Sequence, residues 1–292
     1  MGVPQSIVDR KQSTPRKTAT SLSVKVTRIT PIWPRKTYIQ WLLRNPPADT
    51  GYSVNIYRAE GANGPWELLT TTPLVDVYNY VDDSLSAPSD RTSPSLFSLR
   101  RIFYYRVSVT GPGGEIASSE VPPIPPLDRR REGIWRKLIR DAHLALKKGA
   151  GTEVSVLKRR TWGDPCTTCQ TSMGQTSRSH CGVCYGTGFV GGFWAPFNTW
   201  ASRGAAPVDV QTTQEGKTET HQINGIIGYI PFVEVDDVLC FLRDNKRYKV
   251  DRVSTTEIHT RPVHQELVLS ELSRSSVEYK VTVDPWHDPE WF

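Results

Sequence analysis

The sequence predicts a mostly β, multi-domain protein: a β-sandwich, a helix with a cysteine-rich insertion, and a small C-terminal β-barrel. Short runs alternating apolar and polar residues recur in the first and last thirds of the chain, the period of half-buried strands. A composition of 22 Pro, 21 Gly and 9 Trp against 2 Met favours short strands and tight turns over long helices. A length of 292 residues suits two or three domains, and 37% hydrophobic with 23% charged residues is the balance of folded cores.

Residues 1–20 are polar and basic with no apolar stretch, so they read as a flexible basic arm and not a signal peptide. No run approaches the roughly 20 apolar residues that cross a bilayer, and no membrane partner is expected. Synthesis in a reducing cytosol is expected, where paired cysteines point to metal before disulfide. Residues 21–123 read as one sandwich. Its strands are Leu22–Val26, Tyr38–Leu43, Tyr52–Arg58, Trp66–Leu69, Phe103–Val109 and Glu115–Ala117. Trp41, the run Tyr105-Arg106-Val107 and the turn Gly61–Trp66 resemble a fibronectin type III domain. That resemblance implies a sandwich and says little about activity, since such domains serve as spacers and binding modules alike.

Residues 124–131 form a Pro-rich, extended linker, and residues 132–210 hold the helix and the insertion. Ile134, Leu138, Ala142, Ala145 and Leu146 fall at helical spacing within Arg129 to Lys148, predicting an amphipathic helix packed on its own domain. Gly149-Ala150-Gly151 ends it, and Val154–Leu157 is a short strand.

Cys166, Cys169, Cys181 and Cys184 form two Cys-x2-Cys knuckles separated by a polar loop. Each knuckle turns two thiolates toward one point, and two knuckles complete a tetrahedron, which predicts a structural zinc ion. Four thiolates leave no open coordination position, so the site is read as non-catalytic. Disulfides formed in an oxidising medium and an iron–sulfur cluster are the other readings. Gly182 and Gly186 are placed where tight turns need positive φ, and His180 is read as a surface neighbour of Cys181. Cys240, between Leu239 and Phe241, is a buried thiol in a strand.

Residues 211–285 predict the barrel, with strands at Ile223–Tyr229, Val238–Leu242, Arg247–Val253, Gln265–Leu269 and Tyr279–Val283, and a hairpin turn at Arg243–Lys246. Neither a phosphate-binding glycine loop nor a nucleophile or metalloprotease motif occurs, and no catalytic residue is assigned. The adjacent pair Asp236-Asp237 reads as a turn or strand start, and His221, His259 and His264 as solvated or interface residues. Residues 286–292 form an aromatic tail that either anchors a neighbour or folds onto its own domain.

The net charge of +6 is concentrated: residues 1–37 hold eight Lys/Arg against one Asp, and residues 128–160 hold eleven against four acids. Blocks of opposite sign suit contacts between subunits or with a polyanion. Past the linker, Trp135–Asp141, Leu157–Gly163, Cys184–Gly192 and the runs from Asp236 to Leu269 resemble structural proteins of tailed bacteriophages, of the neck or head–tail connector type. The resemblance implies a virion protein assembled in the host cytoplasm as a homo-oligomeric ring. Its partners would be neighbouring neck or tail proteins such as portal or tail terminator, and DNA in the channel. Two other readings are a zinc-knuckle nucleic-acid-binding protein, suggested by Lys158-Arg159-Arg160 beside Trp162, and a baseplate or fibre component binding a receptor glycan.

Overall fold

The computed structural model describes residues 22–32, 36–44, 52–84, 103–111, 114, 116–121, 129–169, 181–204, 209–213, 216–220, 222–259 and 261–287. The expected arm 1–20, the linker before residue 129, His180, His221 and residues 288–292 lie outside them.

In the first third, alternation builds β1 (Ser23–Ile32), β2 (Lys36–Arg44), β3 (Ser53–Ala59), β4 (Glu67–Leu68), β5 (Leu74–Val75), β6 (Asn79–Asp82), β7 (Tyr104–Thr110) and β8 (Ile116–Val121). They form two sheets, one ordered β1-β2-β6 and the other β4-β3-β7-β8, with β5 on the side of β3. Inward positions on both sheets, among them Val24, Val26, Ile39, Trp41, Val54, Ile56, Val107 and Val109, join one buried cluster. Two of these strands, β5 and β6, carry no alternation long enough to read from sequence. The pairing of β6 with β2 and the fully buried Asp82 explain its place. The Asp82 carboxylate accepts hydrogen bonds from Tyr105 Oη at 2.9 Å and Arg58 Nη1 at 3.0 Å, so its charge is paired.

Helix α1 (Arg129–Ala145) starts at the expected Arg129, so the last three residues assigned to the linker, 129–131, are helical, and it passes into a π-helical turn at Leu146–Ala150. Its buried face is set by Trp135, Ile139 and Leu146, whereas Ile134 is 44% exposed and Ala145 is exposed, which moves the predicted apolar stripe by one position. The indole decides this. It offers the largest apolar area on the helix, and its Nε1–H donates to Pro262 O at 3.0 Å.

Six strands then close a barrel. The chain supplies β9 (Gly151–Leu157), β10 (Phe197–Arg203), β11 (Asp209–Thr213), β12 (Gly216–Thr220), β13 (Gln222–Gly228), β14 (Val238–Phe241), β15 (Lys246–Ile258) and β16 (Arg261–Glu271). The closed order is β10-β13-β16-β15-β14-β9. The barrel is therefore larger than residues 211–285, because β9 and β10 pair with each other and β9 also pairs with β14. The cysteine region is an excursion between two wall strands, and β11–β12 is a separate two-stranded hairpin between β10 and β13. Val154, Val156, Ile227, Leu239, Phe241, Val250, Leu267 and Leu269 fill the core, with Trp135 and Ile139 of α1 packed in the same cluster.

The last predicted strand, Tyr279–Val283, is instead a 3-10 turn at Val277–Lys280. The Arg247 guanidinium bonds Glu278 O and also Val281 O, the latter at 2.8 Å, so the carbonyls find a side chain in place of a neighbouring strand. Among the described residues, no helix is long and apolar enough to cross a membrane.

Candidate metal centre

The pairing of β9 with β10 does not stop at the barrel rim. Trp194 N donates to Lys158 O at 2.9 Å and Arg160 N to Gly192 O at 3.0 Å. Val190 N donates to Asp164 O, and Cys166 N to Gly188 O, both at 2.8 Å. These rungs carry a stem from the wall to the first knuckle. Gly192 is needed in it: its φ is 65°, and an added Cβ would lie 2.7 Å from Cys184 O.

At the end of the stem the four cysteine side chains are buried and their sulfurs all lie within 4.8 Å of one another. Cys166 and Cys181 Sγ are 3.8 Å apart, and Cys169 and Cys184 Sγ 3.1 Å. Tetrahedral Zn–S bonds of about 2.3 Å put sulfurs roughly 3.8 Å apart, so the donor set and its size fit a four-thiolate ion with a small opening of the closer pair. The thiols are free, with none joined in a disulfide. The turns that aim them are local: Cys169 N bonds Cys166 O at 3.4 Å, and Tyr185 N bonds Cys181 O at 2.8 Å. Gly186 takes the positive φ (79°) expected of it, but Gly182 does not; Tyr185 (φ 48°) does so in the second knuckle. Backbone N–H groups of Cys184 and Val183 hold the Cys181 thiol down to about 6, while the Cys184 thiol pushes Cys169 up. Cys181 is thus drawn toward the thiolate form that binds metal, whereas its neighbours hold Cys169 toward the neutral thiol.

The basic run before the knuckle is engaged within the protein. Lys158 Nζ lies 2.9 Å from Glu234 Oε2 and 3.3 Å from Asp237 Oδ2. Arg159 pairs with Asp236 at 2.5 Å. Arg160 pairs with Asp76 of the sandwich, donates from Nε to Phe193 O at 3.0 Å, and lies 4.3 Å from the Trp194 ring centroid. The acidic pair sits in the turn before β14, with Asp236 at φ 72°. Asp237 is buried and accepts from the N–H of Arg159 at 2.8 Å and of Glu234 at 2.7 Å. Burial pushes its carboxyl up to about 6. The hydrogen bond and charge of Lys249, assisted by Arg159, hold Asp236 below the usual carboxylate range.

The other singled-out residues lie elsewhere. Cys240 is buried in β14 with Leu157, Phe193 and Val238, and burial pushes its thiol up to about 11. His264 Nε2 faces Glu266 Oε1 at 3.4 Å, and His259 occupies a left-handed turn position at φ 50°. Trp286 packs edge-on against Trp200 of its own chain, with centroids 5.1 Å apart.

Two residues important to the site were given no structural role by the sequence. Trp162 and Trp194, on the two arms of the stem, pack against each other at a tilt of 53° with centroids 4.5 Å apart. Both belong to the buried cluster of the sandwich, where Tyr52 meets Trp162 at 6.0 Å and Tyr78 meets Trp194 at 5.6 Å. Their proximity to the cysteines was visible, but their partners are some hundred residues away. No protein-family model matches the chain, and no curated protein matches it.

Proposed function

We propose that the chain is a zinc-holding structural component of a tailed-phage particle, a neck or head–tail connector ring protein with an outward decoration domain. The observation that carries this reading is the closed barrel with the separate β11–β12 hairpin emerging between two wall strands. A closed wall has no free edge of its own, so a hairpin outside it is a natural element for reaching a neighbouring copy. Zinc is the metal favoured by four thiolates of this size, and its role is to close the stem, not to react. The fibronectin type III reading of residues 21–123 is supported by the two-sheet strand order and by the buried Trp41 and Tyr105. A nucleic-acid role for Lys158-Arg159-Arg160 is disfavoured, because each cation already faces a carboxylate of the same chain.

Zinc analysis of chain purified under reducing conditions, with sedimentation over rising concentration, tests both halves. The expected result is one zinc per chain and a closed oligomer whose label appears at the neck of intact particles by electron microscopy. A metal-free, monomeric chain at high concentration, absent from particles, overturns it.

A further inference from the structure

The stem is more than a route to the metal. Arg160 and Trp162 lie on one arm and Trp194 on the other, and all three contact the sandwich, through Asp76, Tyr52 and Tyr78. Residues between those contacts and the cysteines are tied across the stem by Arg160 N to Gly192 O at 3.0 Å and Val190 N to Asp164 O at 2.8 Å. The two indoles can present one joined surface only while the arms stay paired, and a four-thiolate ion at the tip would add a clamp to these rungs. A second contact area is formed by Tyr38 and Val81 of the sandwich within the barrel's cluster, with Arg28 4.5 Å from the Phe232 ring centroid.

From this arrangement we infer that metal binding and docking of the sandwich are thermodynamically coupled: the ion at Cys166, Cys169, Cys181 and Cys184 sets the Trp162–Trp194 face against Tyr52 and Tyr78. The coupling rests on the metal reading above. It makes the knuckle a latch between the sandwich and the barrel, with the Tyr38 contact as the hinge side that holds when the latch opens. Reciprocity follows: whatever loosens the docking from the sandwich side must weaken zinc by the same factor.

Two measurements on the full chain test it. Removing zinc with a strong chelator under reducing conditions should raise amide hydrogen exchange in residues 52–59 and 74–82 as well as in the stem. Exchange rising only between residues 158 and 194 while zinc leaves overturns the coupling. The reverse arm is decisive even if chelation unfolds the whole chain. Asp76→Lys sets a cation against Arg160, and zinc competition with a chromophoric chelator should show affinity weakened about five-fold or more. The charge-swapped pair Asp76→Lys with Arg160→Glu should recover part of it. Affinity unchanged in Asp76→Lys overturns the inference. A wild-type chain that binds no zinc at all is a different outcome, and it removes the metal reading itself.

Discussion

At the scale of single residues, Asp236 and Asp237 show how neighbours in sequence come to opposite electrostatic fates. Asp236 is half-exposed between Lys249 and Arg159, which favour its charge. Asp237 turns inward, where loss of water disfavours the charge more than Lys158 and two backbone N–H groups restore it. The linkage sign follows. With a folded value near 6 against an ordinary value near 3.8, Asp237 contributes stability that is fully present below the ordinary value and lost as pH rises toward 6. Unfolding free energies of the wild type and Asp237→Asn, measured from pH 3.5 to 7.5, should show this difference. The wild type should lose on the order of 2–3 kcal/mol relative to the variant across that window and then run parallel to it. Asp236 acts the other way, since its lowered value gives stability that is lost as pH falls.

At the scale of elements, α1 depends on which residue faces the barrel. Trp135 is 1% exposed and hydrogen-bonded, whereas its neighbour Ile134 is 44% exposed. Trp135→Ala should cost about 3–5 kcal/mol in urea unfolding, and Ile134→Ala less than about 0.5 kcal/mol. Equal losses would mean the helix is rotated from this register. Strand runs such as Tyr52–Arg58 and Gln265–Leu269 were readable in the sequence because their period of two is a local property. The cysteine spacing was readable for the same reason. What could not be read was pairing across distance. Strand β10 has Trp200 and Phe197 but no clean alternation, and its partner β9 lies on the far side of the cysteine insertion. The role of Lys158-Arg159-Arg160 was hidden likewise, because a basic run looks the same in sequence whether it faces solvent or the carboxylates of Asp76, Glu234, Asp236 and Asp237.

At the scale of the whole molecule, the boundary between sandwich and barrel is a shared core and not a linker alone. Trp162 and Trp194 complete the sandwich cluster from outside its own sequence, and Tyr38 reaches the other way into the barrel's. Cutting the chain at the linker should therefore harm both pieces. Burial of a large apolar side chain contributes about 1.5–3 kcal/mol, so an isolated sandwich of residues 21–123 lacking two indoles should lose about 3 kcal/mol or more relative to the same domain in the full chain. Residues 124–292 alone would present both tryptophans to water and should bind an environment-sensitive apolar dye and associate with increasing concentration. Trp162→Ser with Trp194→Ser should lessen that association without restoring the sandwich contact. The measurement is light scattering and dye binding of the two truncated chains side by side. If residues 124–292 stay monomeric and dye-silent with both indoles intact, the shared core is not what joins the domains, because an uncovered indole pair that size would not remain inert in water.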